Sequence, residues 1–66
     1  DAVIQIEEGI FIFEFKLNQT AEAAIAQIKN RGYADYFKQR DKPVHLIGIN
    51  FSSEEKAVEK LIWERG

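Results

Sequence analysis

No cysteine occurs among the 66 residues, which removes disulfides, thiolate nucleophiles and cysteine-type zinc sites together. The one histidine, His45, cannot form a paired-histidine metal site, and no Ser-His-Asp arrangement can be argued from it. It is read as a structural or edge residue. Glycines 9, 32, 48 and 66 are scattered and form no phosphate-cradling GxxxxGK motif, so any ATPase activity belongs outside this chain. No apolar run approaches the ~18 residues of a membrane span, and no signal-peptide pattern is present. The expectation is therefore no membrane partner and a cytoplasmic location. Methionine is also lacking, and the opening DAVIQI already reads as strand, so a piece of a longer protein is expected.

What is present is the balance of a globular domain, 45% hydrophobic and 30% charged. A chain this short buries only about 60% of its unfolded surface, enough for one small domain. The formal net charge of -2 argues against a nucleic-acid binder held by positive charge alone. It leaves open an acidic site that meets phosphate through a divalent cation.

AVIQI (Ala2 to Ile6), an interruption at Glu7, Glu8 and Gly9, and the run Ile10 to Lys16 together read as a hairpin. Alternation places Phe11, Phe13 and Phe15 on one face of the second strand and Ile10, Ile12, Glu14 and Lys16 on the other. Both faces begin apolar, which predicts a central strand covered on two sides, with the phenylalanines as core. Thr20 is a candidate N-cap and Gly32 a stop for a helix from Ala21 to Arg31, whose stripe Ala21, Ala24, Ile25 and Ile28 suits packing on a sheet. A short helical turn carrying Tyr33, Tyr36 and Phe37 follows, then a polar loop from Gln39 to Lys42. Val44 to Phe51 is a further apolar strand, reached by a helical crossover. The last segment reads two ways. Ser52 and Glu55 form a capping box before an Ala57, Val58, Leu61, Ile62 stripe, favouring helix, while alternation from Val58 to Trp63 gives a weaker case for a strand.

Two opposite charges, Glu14 and Lys16, close an otherwise apolar strand, and taken alone they would be an exposed pair worth at most ~1 kcal/mol. Their context changes that reading. Asp1, twelve residues with a hairpin turn, Glu14-Phe15-Lys16, and a helix with Gln27 followed by Tyr33 resemble the PD-(D/E)xK nuclease superfamily. More narrowly, IFIFEFKL, AEAAIAQIKNRGYADYF and VHLIGINFSSE resemble the nuclease-like domain at the C-terminus of bacterial AAA-ATPase-like proteins. The resemblance implies an α/β fold, the C-terminal part of a restriction-endonuclease-like domain, with a mixed sheet of three to four strands and one main helix. It favours a strand over a helix for the last segment. It further implies a metal-dependent nuclease module of a larger ATPase-associated protein, with nucleic acid as partner; the alternative is an inactive nuclease fold kept as an interaction module.

Phosphodiester hydrolysis by a metal route needs carboxylates that hold a hard cation, Mg²⁺ or Mn²⁺. By resemblance these are Asp1 and Glu14, joined by the backbone carbonyl of Phe15. Lys16 would position water and stabilise developing negative charge, and Gln27 and Tyr33 would assist contacts to substrate or metal-bound water. The hairpin register bears on this. With Glu8-Gly9 as a two-residue turn, Glu7 faces Ile10, Asp1 falls opposite Lys16 and the three charges share a face. With a three-residue Glu7-Glu8-Gly9 loop, Ile6 faces Ile10 and Asp1 falls opposite Phe15, on the wrong face.

Overall fold

The computed structural model describes residues 1–38 and 40–66; Gln39, the first residue of the expected polar loop, lies outside the described residues. The elements run β1 (Ala2–Ile6), β2 (Gly9–Leu17), α1 (Ala21–Asn30), α2 (Tyr33–Lys38), β3 (Val44–Ser52) and β4 (Ala57–Arg65). They form one mixed sheet in the order β1-β2-β3-β4. β2 and β3 pair in parallel, bridged by the two helices, while the outer pairs are antiparallel. The chain is thus α/β with β2 in the middle of the sheet.

Helix α1 begins where Thr20, in extended backbone, accepts a hydrogen bond from the Ala23 N–H at 2.9 Å. It ends at Arg31, and Gly32 turns the chain at a φ of 71°, a conformation glycine adopts without strain. Ala21, Ala24, Ile25 and Ile28 are all buried, as their spacing requires. Small residues let the helix lie close on β3. A Cβ added to Gly48 would sit 2.7 Å from the Ala21 carbonyl oxygen and 3.0 Å from the Ala24 Cβ, so only glycine fits there. Ile10, Ile12, Ile25, Ile28, Phe37, Val44 and Leu46 form the core between helices and sheet. At the far side of α1, Lys60 of β4 donates to Glu22 at 2.5 Å. That hydrogen bond, with the backbone N–H of Glu22 itself, holds the Glu22 carboxyl below its usual range.

The expectation of a strand covered on both sides is corrected. Both helices pack on the face carrying Ile10, Ile12, Glu14 and Lys16, and no described element crosses the other. Phe11, Phe13 and Phe15 are therefore not core. Phe15 is 48% exposed, and the rings stack on neighbours along the open face, Phe11 on His45 at 4.7 Å and Phe15 near Phe51 at 6.1 Å. A single helical layer covers a single face, so alternation alone could not tell which set would be buried.

The last segment is a strand. Its helix-like capping pair is real but local: the Ser52 hydroxyl accepts from the Glu55 N–H at 3.1 Å and closes a turn. Lys56, at a φ of 55°, then sends the chain back along β3. Pairing with β3 satisfies the backbone that a free helix would have bonded internally. Among the described residues, no helix is long and apolar enough to cross a membrane.

Candidate active site

Neither expected hairpin register occurs. Glu7 and Glu8 form the turn, Ile6 pairs with Gly9 and Ala2 with Phe13, a frame that sets Asp1 beside Glu14. Same-face parity is kept, because the pairing has moved by an even step from the two-residue alternative. Asp1, Glu14 and Lys16 thus lie on the helix face, and Asp1 is brought closer to Glu14 than the expected register would have set it.

Glu14 is 6% exposed, against Gly48 of β3 on the sheet and α1 above. A carboxylate taken out of water needs partners, and α1 supplies them. Gln27 Nε2 donates to Glu14 Oε2 at 2.9 Å, and Lys16 Nζ donates to Gln27 Oε1. The amide can serve both neighbours in only one orientation, oxygen to the ammonium and nitrogen to the carboxylate. Gln27 therefore acts as a bridge that fixes the distance between the acid and the lysine. Glu14 Oε1 is different. It is buried and has no hydrogen-bond partner among the described residues.

Above that oxygen lies Arg31, in sequence terms only the last residue of the expected helix. Its Nη1 donates to Asp1 Oδ2 at 2.6 Å and stands 3.6 Å from Glu14 Oε1. A signal was present: Gln27 and Arg31 are four apart and so share a face of α1. Asn50 was missed as well. Only 1% exposed and paired with Lys16 on the sheet, it accepts from the Gln19 N–H at 3.0 Å and donates to Glu59 at 2.8 Å. It ties the segment before α1 to β4, which steadies the end of β2 where Lys16 sits.

The remaining expected residues are placed apart. The Phe15 ring projects to the open face, away from the face that carries Glu14 and Lys16. Tyr33 packs against the hydrophobic core and lines a groove beside Arg31, outside the Lys16–Gln27–Glu14 chain of hydrogen bonds. Among the described residues, no three His, Cys, Asp or Glu side chains gather as a metal cage. Two carboxylates suit a hard cation that keeps part of its water shell, and Glu14 Oε1, without a hydrogen-bond donor among the described residues, is an acceptor open to one.

The sequence model of one family, described as the PD-(D/E)XK nuclease superfamily, matches residues 1–61. A protein of Azotobacter chroococcum mcd 1, described as "Uncharacterized protein in vnfD 5'region", is 35% identical over 60 residues, a span covering 88% of this chain and 12% of that relative. No solved structure matches the chain.

Proposed function

The chain belongs to the PD-(D/E)XK nuclease superfamily, and we propose that it is the metal-dependent, phosphodiester-cleaving part of a larger nuclease. The observation that carries this reading is the buried Glu14 Oε1, which has no hydrogen-bond donor among the described residues and only long ion pairs to Arg31 at 3.6 Å and the Asp1 ammonium at 3.9 Å, with Lys16 held to the same carboxylate through Gln27. A buried carboxylate oxygen without a hydrogen-bond donor suits an acid that receives a cation.

Nucleases of this superfamily generally use divalent metals, and here Asp1 and Glu14 would hold Mg²⁺ or Mn²⁺ with the Phe15 carbonyl. When bound, the ion supplies charge neutralisation at the phosphoryl oxygens and acidifies water. The chain's own residues do the rest. Glu14 orients through Gln27, so its free oxygen faces the site. The Lys16 ammonium, on the same face, positions the attacking water and stabilises charge developing on the phosphate. Asp1 adds the second negative charge that makes the site selective for a cation. With a net charge of -2 on this chain, grip on the polyanion would come from a basic surface elsewhere in the protein. The chain's 12% share of its relative supports a longer polypeptide; that an ATPase domain belongs to it rests on the resemblance to ATPase-associated nuclease domains alone.

The test is cleavage of DNA and RNA by the intact protein with Mg²⁺ or Mn²⁺. Glu14→Ala and Lys16→Ala should each lower divalent-dependent cleavage by about 10²-fold or more. Undiminished cleavage in both variants would sink the residue assignment. A second reading is a nuclease fold kept for interaction, favoured by the open sheet face with Leu17, Leu61 and Trp63 each more than half exposed. It predicts a protein that stays folded, neither binds Mn²⁺ nor cleaves, and is indifferent to both substitutions.

A further inference from the structure

Resting on that reading, we propose that Arg31 is the resident cation of the metal-free site and that a divalent ion must displace it. The guanidinium lies between both acids, 2.6 Å from Asp1 Oδ2 and 3.6 Å from Glu14 Oε1. It thus stands against the same two carboxylates that would hold the ion. Its contacts are lopsided. The short bond goes to Asp1, whereas the approach to Glu14 is too long for a hydrogen bond and leaves Oε1 unsatisfied. The Asp1 ammonium, 3.9 Å from the same Oε1, is likewise too far to hydrogen-bond it. Arg31, with the one short contact, therefore neutralises the pair without saturating it, which suits a placeholder rather than a permanent ion pair.

The side chain also has somewhere to go. Arg31 is 44% exposed and lines an open groove with Val3, Gly32, Tyr33, Tyr36 and Phe37. Its backbone, at the cap of α1 and followed by Gly32, is anchored by a hydrogen bond from its N–H to the Gln27 carbonyl at 3.1 Å. Release of the guanidinium thus needs rotation of the side chain alone, and Gln27 keeps the Glu14–Lys16 pair aligned throughout. Two consequences follow. The site is stable when empty, because two neighbouring carboxylates are not left facing each other. The affinity for the ion is lowered by the work of removing Arg31, so loading requires a higher ion concentration than the carboxylates alone would.

The experiment compares intact wild-type protein with Arg31→Gln by calorimetric titration of Mn²⁺, and follows the arginine side-chain nitrogen resonances of the wild type during titration with diamagnetic Mg²⁺. Loss of one charge-assisted contact corresponds to roughly tenfold or more in affinity, so Arg31→Gln should bind Mn²⁺ about tenfold more tightly. The Arg31 resonance, assigned by its absence in the variant, should move and saturate with Mg²⁺ in the wild type. Equal or weaker Mn²⁺ binding by Arg31→Gln, or an Arg31 resonance unmoved by saturating Mg²⁺, overturns the inference and leaves the metal site standing. Failure of both proteins to bind Mn²⁺ overturns the metal reading itself and this inference with it.

Discussion

A single amide, Gln27, decides how Glu14 and Lys16 face each other. The lysine would otherwise be drawn to solvent, because an ammonium is strongly hydrated and its four-carbon stem is flexible. Bonded to Gln27 Oε1, it is held next to the acid without forming a direct ion pair that would cancel the charge of both. Replacing the amide should therefore cost stability as well as alignment. Gln27→Ala strips a donor from the buried Glu14 carboxylate, and a loss of about 1–3 kcal/mol in urea unfolding is expected. Gln27→Glu should be worse, since it sets a second carboxylate against Glu14. A Gln27→Ala variant as stable as the parent would show that water satisfies Oε2 and that the bridge is incidental.

At the scale of elements, the placement of Gln27 depends on how closely α1 lies on the sheet. Gly48 is the contact that sets this distance, and it pairs with Glu14 across β2 and β3. Gly48→Ala would drive a methyl group into the Ala21 carbonyl, backbone that cannot rotate away. A destabilisation of about 1–3 kcal/mol is expected, measurable by denaturant unfolding, with Mn²⁺ binding weakened because α1 must lift from the acid. The ion pairs on the outer side of α1, Lys60 with Glu22 and Lys29 with Glu64, hold the same helix to β4. They are exposed and screened by salt, so the packing at Gly48 and the alanine stripe dominates.

On the scale of the whole molecule, the sheet has one dressed and one bare face. Ile12 is wholly buried and Ile12→Ala should cost about 2–5 kcal/mol. Leu61 is 55% exposed on the bare face, so Leu61→Ala should cost less than about 1 kcal/mol. Both are read from unfolding of the intact protein. A Leu61→Ala cost as large as that of Ile12→Ala would mean that something else in the protein packs on this face. The rings of Phe11, His45 and Trp63 stack there, and the Trp63 indole N–H donates to His45 Nδ1 at 2.9 Å. Of the two roles expected for His45, structural or edge, its inner strand and these stacked contacts fit the first.

What the sequence determined by itself is whatever depends on the chain's own period. The two-residue alternation of a strand put Glu14 and Lys16 on one face, and the helical repeat put Ala21, Ala24, Ile25 and Ile28 on one stripe; both hold in the structure. The spacing also contained Arg31, unread because a guanidinium near a helix end is ordinary until a partner is known. The tertiary structure alone decided the rest. Which face of β2 is core depended on where α1 came to lie, and the hairpin frame depended on the Glu7-Glu8 turn and the pairing it closes. The last segment is β4, the strand that the resemblance favoured, because pairing with β3 outweighs a helical propensity that sums only local terms. Asp1, Gln27 and Arg31 converge on Glu14 for the same reason: they are distant in sequence, and only the packing of β1 and α1 against β2 brings them together.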